Sequence, residues 1–407
     1  EWIVFDSRNN ENAIGSTSTV GMVNVKTKEI KYLYKTNNQT EYGPGVGAVT
    51  FSPKEDKVLF IHGIRNASKD RPYGFTRRTG IAIDIKHPLE PIFMDARDII
   101  PPFTPGALRG GTHAHTWSGD GKWISFTYND FIIEQLSKTD SSIKDLRTIG
   151  IMIPGEVSVA TDSTMENHSG KMFSVLIAPV IENPKPGSDE IDKAFDEGWI
   201  GNNGYVHSDG KRQTKAIAFQ GNIRNKEGKT LTEVFVADLP EDILMHTRGV
   251  TIEGTTKTRP NVPTGISIRR ITYTKEGLSG PRFWLRTTPD GSTIGFLSTD
   301  AGGIIQIFGV SPNGGEIKQL THNDSSVEGP FNFSPDGKWL AYCTDNRVFI
   351  TDLKTGETKP ITQPANDNDK PIGAPVFSNS GKLIAYNKYV ADQGRNFVQV
   401  FLNKIQD

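Results

Sequence analysis

A short turn recurs along this sequence, and no other feature constrains the fold as tightly. The segment FNFSPDGKWLAYCTDNRVFITDLKTGETKPIT, Phe331 to Thr362, reads as strand, four-residue turn, strand, loop, strand, turn and strand, one antiparallel unit. Its turn signature returns as FSPKEDK at Phe51, WSGDGK at Trp117, VHSDGK at Val206, TTPDGS at Thr287 and FSNSGK at Phe377. The last three copies lie 46 and 44 residues apart, from Asp290 to Asp336 to Ser380, close to the roughly 40–45 of a four-stranded propeller blade. A two-sheet sandwich also alternates strands with Gly-rich turns, but has no reason to repeat one turn at a fixed period. In the SPDGK-type turns Asp supplies a local hydrogen-bonding side chain and Gly a positive φ, so the signature is structural and carries no chemistry.

The repeats predict an all-β chain, a seven-bladed β-propeller of four-stranded antiparallel blades forming one domain over 1–407. Blades fall near 1–38, 44–95, 111–180, 201–275, 280–321, 328–362 and 372–407. An eight-blade count, with NHSGKMFSV at Asn167 as a turn of its own, is the competitor. Glu1–Lys35 carries only the later strands of its unit, and the last blade lacks its outermost strand. Residues upstream of Glu1 are expected to supply both, and a start inside a strand points to a removed leader and a periplasmic or secreted address.

Insertions report a side. In a blade whose strands run A to D outward from the channel, B–C and D–A connections share one face, and A–B and C–D turns the other. The long segments Arg65–Gly80, Asn129–Lys144, Ala96–Gly111 and Ile181–Gly201 all fall on the first face, whereas the A–B and C–D turns read as uniformly short. Long loops on a rigid scaffold usually carry function. Within the insertion 181–201, Ser188–Ile200 reads as a short helix capped by Ser188.

Composition removes whole classes of partner. Forty-six basic against 47 acidic residues leave a net charge of −1, so nothing draws the molecule to nucleic acid. The longest apolar run, Ser174 to Ile181, is far short of the roughly 20 residues of a membrane span. A single cysteine, Cys343, excludes an internal disulfide and any Cys-rich metal site. No Gly-rich phosphate loop opens a helix, and no G-x-S-x-G elbow occurs.

Three of the eight histidines are expected to converge. His113 and His115, in GGTHAHTWSGDGK, begin an A strand; two residues apart, they should share a side about 7 Å from one another. His62 ends the B strand of the preceding blade, at the same face. Three imidazoles with open positions would suit a divalent transition metal, manganese or zinc, at a catalytic site; the plain alternative is that they bond loop carbonyls. Around them, Arg65, Arg71, Arg77 and Arg78, with Tyr73 and Phe75 interleaved, and Arg109 before the H-x-H, form a candidate surface for a small or oligomeric anionic ligand. Solvated charge paired by nearby acids is the competing account. Tyr73 and His207 are the candidate bases.

FSPDGKWLAY followed by ITDLKTGETKPIT resembles the repeat of TolB-type bacterial propellers over most of the chain. The pairing of FSPKEDKVLFIHG with HAHTWSGDGKWISFTYND is similar to oligogalacturonate lyases, whose family holds manganese with a histidine after one B strand and an H-x-H at the next A strand. That resemblance implies His62, His113 and His115 as ligands, although Gly110 stands where the family has a glutamine. An uncharacterised bacterial propeller family with the same GTHAHTWS segment looks closer still. Two functions follow as expectations: a metal-dependent lyase or hydrolase of an acidic carbohydrate, or a non-catalytic TolB-like envelope propeller that binds a protein or glycan.

Overall fold

The computed structural model describes residues 1–8 and 14–405; residues 9–13 and 406–407, parts of the first and last expected blades, lie outside the described residues. The chain is a seven-bladed β-propeller of mostly four-stranded antiparallel sheets. Blade I has three strands, Trp2–Asp6, Thr19–Asn24 and Ile30–Lys35. Blade II runs Val46–Phe51, Lys57–Gly63, Arg78–Asp84 and Ile92–Phe93; blade III runs Gly110–Trp117, Ile124–Asp130, Thr148–Val157 and Gly170–Leu176. Gly170–Leu176 is the outer strand of blade III, so the segment after Asn167 does not found an eighth blade. Blades IV to VI each have four strands, beginning at Lys193, Arg286 and Asn332, and blade VII has three, Pro371–Phe377, Leu383–Asp392 and Arg395–Lys404.

The repeated turn works as its composition implies. In blade VI the Ser334 hydroxyl donates to Asp336 at 2.5 Å and accepts from the backbone N–H of Trp339 at 3.0 Å, while Gly337 takes φ 71°. Ser118 with Asp120 and Gly121, and Thr288 with Asp290 and Gly291, repeat this arrangement. The hydroxyl ties both ends of the turn together, and the left-handed glycine lets the chain reverse.

By its contacts the chain divides into two compact units, Glu1–Phe195 with Leu239–Ser267, and Asp196–Asp238 with Ile268–Asp407. In the first unit, Val20, Leu33, Val58, Phe60 and Ile81 pack blade I on blade II, and Leu59, Ala82, Trp117, Phe126 and Met172 pack blade II on blade III. In the second, Ala218, Val236, Phe296 and Val310 fill blades IV and V, and Ala341, Ile350, Phe377 and Ile384 fill blades VI and VII.

Three expectations need correction. Ser188–Ile200 is not a helix: Lys193–Trp199 is the first strand of blade IV, and Ser188 instead accepts from the N–H of Glu190 in a local turn. Ala194, Phe195, Glu197 and Gly198 are all buried in this inner strand, so packing on neighbouring strands outweighs helix propensity. The α-helix lies at Phe131–Ser137, where the side chain of Asp130 caps the N–H of Ile133. Nor are the A–B and C–D connections of blade IV short. The Val206 turn closes an inserted hairpin, Tyr205–Val206 with Arg212–Gln213, between strands Lys193–Trp199 and Ala216–Arg224. The C–D connection 239–266 is a long excursion, and Leu239–Ser267 belongs to the first unit.

Candidate functional site

Glycines shape the end of blades II and III where the B–C loops emerge. The loop 64–77 joins Lys57–Gly63 to Arg78–Asp84. Within it the Tyr73 side chain sits so close to Gly15, Gly43 and Gly63 that Cβ atoms there would lie 3.1 Å from its ring, 3.4 Å from its Cβ and 2.9 Å from its ring. Across from the loop, a Cβ on Gly111 would come 2.2 Å from the Phe75 carbonyl oxygen. The inner strand of blade III therefore passes against the Phe75 backbone, and only a residue without a side chain fits. Arg78 opens the next strand, and its Cζ lies over the rings of Tyr73 and Phe75, 4.6 and 4.7 Å from their centroids. Arg147 lies over Phe75 as well, at 4.9 Å, and the Phe75 ring meets His113 edge-on at 6.5 Å.

The three histidines do not gather. In the paired strands of blade II, His62 stands opposite Thr79 and Ile61 opposite Gly80. Side chains alternate along a strand, so His62 points away from the face Ile61 shares with Gly80. His62 meets Tyr34 of blade I: its Nε2 lies 3.0 Å from the Tyr34 hydroxyl and its Nδ1 contacts the Gly63 carbonyl. A carbonyl only accepts, so Nδ1–H donates and the Nε2 lone pair is taken by Tyr34. His115 packs on the other face, where a Cβ on Gly80 would touch its Nε2 at 2.9 Å. The blade II sheet stands between them. Nor do His113 and His115 share a side as strand alternation predicts, because Ala114 adopts φ 60° in a bulge between His113 and Thr116. His113 is half-buried beside Phe75, while His115 is buried and bonds the Thr112 hydroxyl at 2.9 Å. Among the described residues no three His, Cys, Asp or Glu side chains form a group able to hold a metal ion. The donor set does not fit manganese or zinc.

The arginines separate by partner. Arg77 is paired with buried Glu166 and donates to Asn66 at 2.6 Å; Arg97 reaches the same carboxylate at 3.4 Å and the carbonyl of Thr76 at 3.0 Å. Glu166 stays below the usual carboxylate range: burial pushes it up, but the Arg77 hydrogen bond and the Arg97 charge outweigh that. Arg71 stands 4.0 Å from Glu166 and is exposed, and Arg65 lies over Phe93 at 5.0 Å in the open. Arg109 is structural rather than ligand-facing. It binds Asp130 at 2.9 Å and donates to the carbonyls of Thr255 and Thr258, pinning the excursion 239–266.

Arg78 differs from the buried Arg77, Arg97 and Arg109 in its partners. It is 9% exposed and no carboxylate among the described residues forms an ion pair with it; its buried Nε, like those of Arg77 and Arg97, has no hydrogen-bond partner. Burial lowers its pKa, Tyr73 opposes this and Arg147 adds to it; an arginine nonetheless stays charged. Two ring contacts contribute about 0.5–2 kcal/mol each, against a desolvation cost of several kcal/mol for a buried ion. The guanidinium is undercompensated. Its charge also bears on its neighbours: burial first, then Arg78, holds His115 down to about 3, and the same order of causes, with Arg147, depresses His113 well below 6.5. Both imidazoles are neutral at physiological pH.

Neither candidate base is poised. The Tyr73 hydroxyl is buried and unpartnered, and burial raises its pKa, Arg78 and Arg8 opposing this and Asp6 adding to it; it is a protonated hydroxyl able to donate, not a tyrosinate. His207 lies in the second unit, in the hairpin of the A–B connection. It meets the Tyr205 ring edge-on at 4.8 Å, beside a closed network in which Arg269 binds both Asp238 and the Tyr205 hydroxyl. Arg147 is the member of the cluster missed from sequence. It precedes strand C of blade III as Arg78 opens strand C of blade II, so aligning the two repeats at that strand would have found it. Two surface hollows, near Asp369 and Tyr389 and near Ile92 and Met94, touch none of these residues.

Among solved structures, the β-propeller domain of the Trilobed protease from Pyrococcus furiosus matches 100% of this chain and 95% of its own length, with 11% identity and TM-score 0.50. A TolB from Agrobacterium tumefaciens (13% identity, 96% and 99% covered, TM-score 0.44) and an oligogalacturonate lyase in complex with manganese (13%, 96% and 83%, 0.48) also match. At such identities the likeness is one of fold. Residues 45–168, which contain Tyr73, Phe75, Arg77, Arg78, His113, Arg147 and Glu166, match the model of a protein of unknown function, DUF3748. The Escherichia coli K12 protein described as "Uncharacterized protein YidR" is 36% identical over 394 residues, 95% of this chain and 89% of that protein. The chain belongs to the YidR family.

Proposed function

We propose that this propeller binds an acidic ligand, a uronate-bearing sugar, at the loop-rich end of blades II and III, and does not turn it over. One observation carries the reading: the loops there bring cationic and aromatic side chains together, while the tyrosine and imidazoles among them titrate far from neutral pH and Asp95 and Asp145, raised to about 6, are held in structural hydrogen bonds. Phe75 is exposed, Arg147 and Arg78 flank it, and Arg71 and Arg65 stand on the same loop. Guanidinium groups suit carboxylates, and aromatic residues suit the apolar faces of sugar rings. Proton abstraction next to a carboxylate needs a base near neutral pKa. The Tyr73 hydroxyl is raised and the imidazoles of His62 and His115 are depressed to about 4 and about 3.

The test is calorimetric titration with acidic and with neutral oligosaccharides, run beside ultraviolet monitoring for unsaturated products. Binding of the acidic set alone, with no new absorbance in the presence of manganese or zinc, is the expected outcome. Metal-dependent release of unsaturated product would overturn the non-catalytic reading, and equal affinity for neutral sugars would overturn the acidic one.

A further inference from the structure

We propose that Arg78 and the Tyr73 hydroxyl form a subsite for a single carboxylate, with the Arg78 N–H groups and the Tyr73 O–H donating to its two oxygens. The inference rests on the acidic-ligand reading above and names the contact that would recognise the acid. Its first support is the unpaired, more than nine-tenths buried guanidinium, whose Nε–H has no acceptor. Its second is independent: the Tyr73 hydroxyl, held beside Arg78 by the glycine-lined slot, is also buried without a partner. Arg77, Arg97 and Arg109 each meet a carboxylate, although Arg77 and Arg97 also keep a buried Nε without a partner; Arg78 has no carboxylate at all among the described residues.

Geometry selects the ligand class. Cζ of Arg78 lies over two rings, so its fork of N–H groups, in the guanidinium plane, is directed away from the ring faces. A planar carboxylate matches that fork with two parallel bonds. His113 and His115 carry no charge there, and Arg147 adds a positive charge across Phe75. The Asp6 carboxylate acts on Tyr73 from nearby, but it is paired with Arg8 and accepts from the Ala48 N–H, so it forms no ion pair with Arg78.

The experiment uses the full chain and three probes: D-galacturonate, its methyl ester and acetate. Affinities are read by calorimetry for the protein as it is, and for Arg78→Gln, Arg78→Lys and the control Arg395→Gln, an exposed arginine of the last blade. Galacturonate should bind, the ester should not, and both Arg78 variants should lose at least about tenfold while Arg395→Gln stays within about twofold. Loss in Arg78→Lys matters because lysine keeps the charge and removes the fork. Should the variants misfold, the Arg78 Nε–H resonance of the unaltered protein gives the same answer, since it should move on titration with galacturonate and not with the ester. Galacturonate binding that is equal in Arg78→Gln, or that leaves the Nε–H resonance still, overturns the subsite while the acidic-ligand reading stands. Acetate binding that depends on Arg78, without galacturonate binding, keeps the subsite and overturns the sugar. If no carboxylate binds, both fall.

Discussion

Arg77 and Arg78 are consecutive residues of one loop-to-strand junction, yet their charges meet opposite fates. Arg77 turns to Glu166, which Arg97 also holds, so three buried charges and an amide close on one another. Arg78, one residue on and facing the other way, has rings where Arg77 has a carboxylate. Both guanidinium groups have lost most of their water, at 7% and 9% exposure. Burial of an arginine therefore says little about its role; the presence of a counter-charge separates a structural clamp from a receptive site.

The comparison breaks most sharply at Glu166. Glu166→Gln leaves Arg77 and Arg97 buried without their carboxylate, and removing one partner of a buried pair typically costs about 3–5 kcal/mol. A loss of that order in urea denaturation is expected, with no direct effect on a ligand at Arg78. A change under about 1 kcal/mol would mean that the Glu166 network is not the clamp described here.

Acid sharpens the contrast next. The imidazoles of His62, His115 and His168 lie at about 4, about 3 and about 3, chiefly through burial, against an ordinary 6.5. Below pH 6.5 the unfolded chain takes up protons that the folded one refuses, so stability falls as pH drops toward 4. Each group contributes up to about 1.4 kcal/mol per pH unit. Asp95 and Asp145, raised to about 6 mainly by burial, act in the opposite sense: their contribution is present at low pH and lost as pH rises through 6, offsetting part of the decline. Glu166, held below 4.5, yields only at lower pH. Denaturation midpoints should therefore fall between pH 6.5 and 4.5, before the Arg77 clamp is touched; a flat profile over that interval would show that the three histidines are not buried neutral.

A smaller effect is expected at Arg78 itself. Arg78→Gln removes an undercompensated charge along with two ring contacts, and these oppose each other, so stability should change by less than about 1 kcal/mol in either direction. A loss as large as that from Glu166→Gln would make Arg78 a second clamp and erase the distinction between the two residues.

What the sequence disclosed follows the same division. The turn signature repeats because blades III, V and VI solve the same local problem with Ser or Thr, Asp and Gly, so Ser334 to Gly337 could be read directly. Partners could not. Glu166 lies 89 residues from Arg77, and nothing in the RR pair at 77–78 tells which guanidinium will find it. The H-x-H motif misled for a different reason: alternation holds only in an unbroken strand, and Ala114 at φ 60° breaks it. His62 was placed at the right end of the right strand, but a strand end has two faces, and the residue facing Tyr34 is decided by blade packing.

The smallest expected effect settles the histidine geometry. His62→Ala removes a ring bonded to Tyr34 on one side of the blade II sheet, and His115→Ala removes a ring packed on Gly80 on the other. With no shared partner, their destabilisations should add within about 0.5 kcal/mol in a double-mutant cycle. Repeating the cycle with manganese or zinc gives the comparison its sharpest form, because a metal ligated by both rings would be lost in either single variant and would create a coupling absent from the metal-free protein. Additivity under both conditions keeps the two imidazoles on opposite faces; a coupling that appears only with metal would require the Nε2 of His62 to leave the Tyr34 hydroxyl and the sheet between them to open.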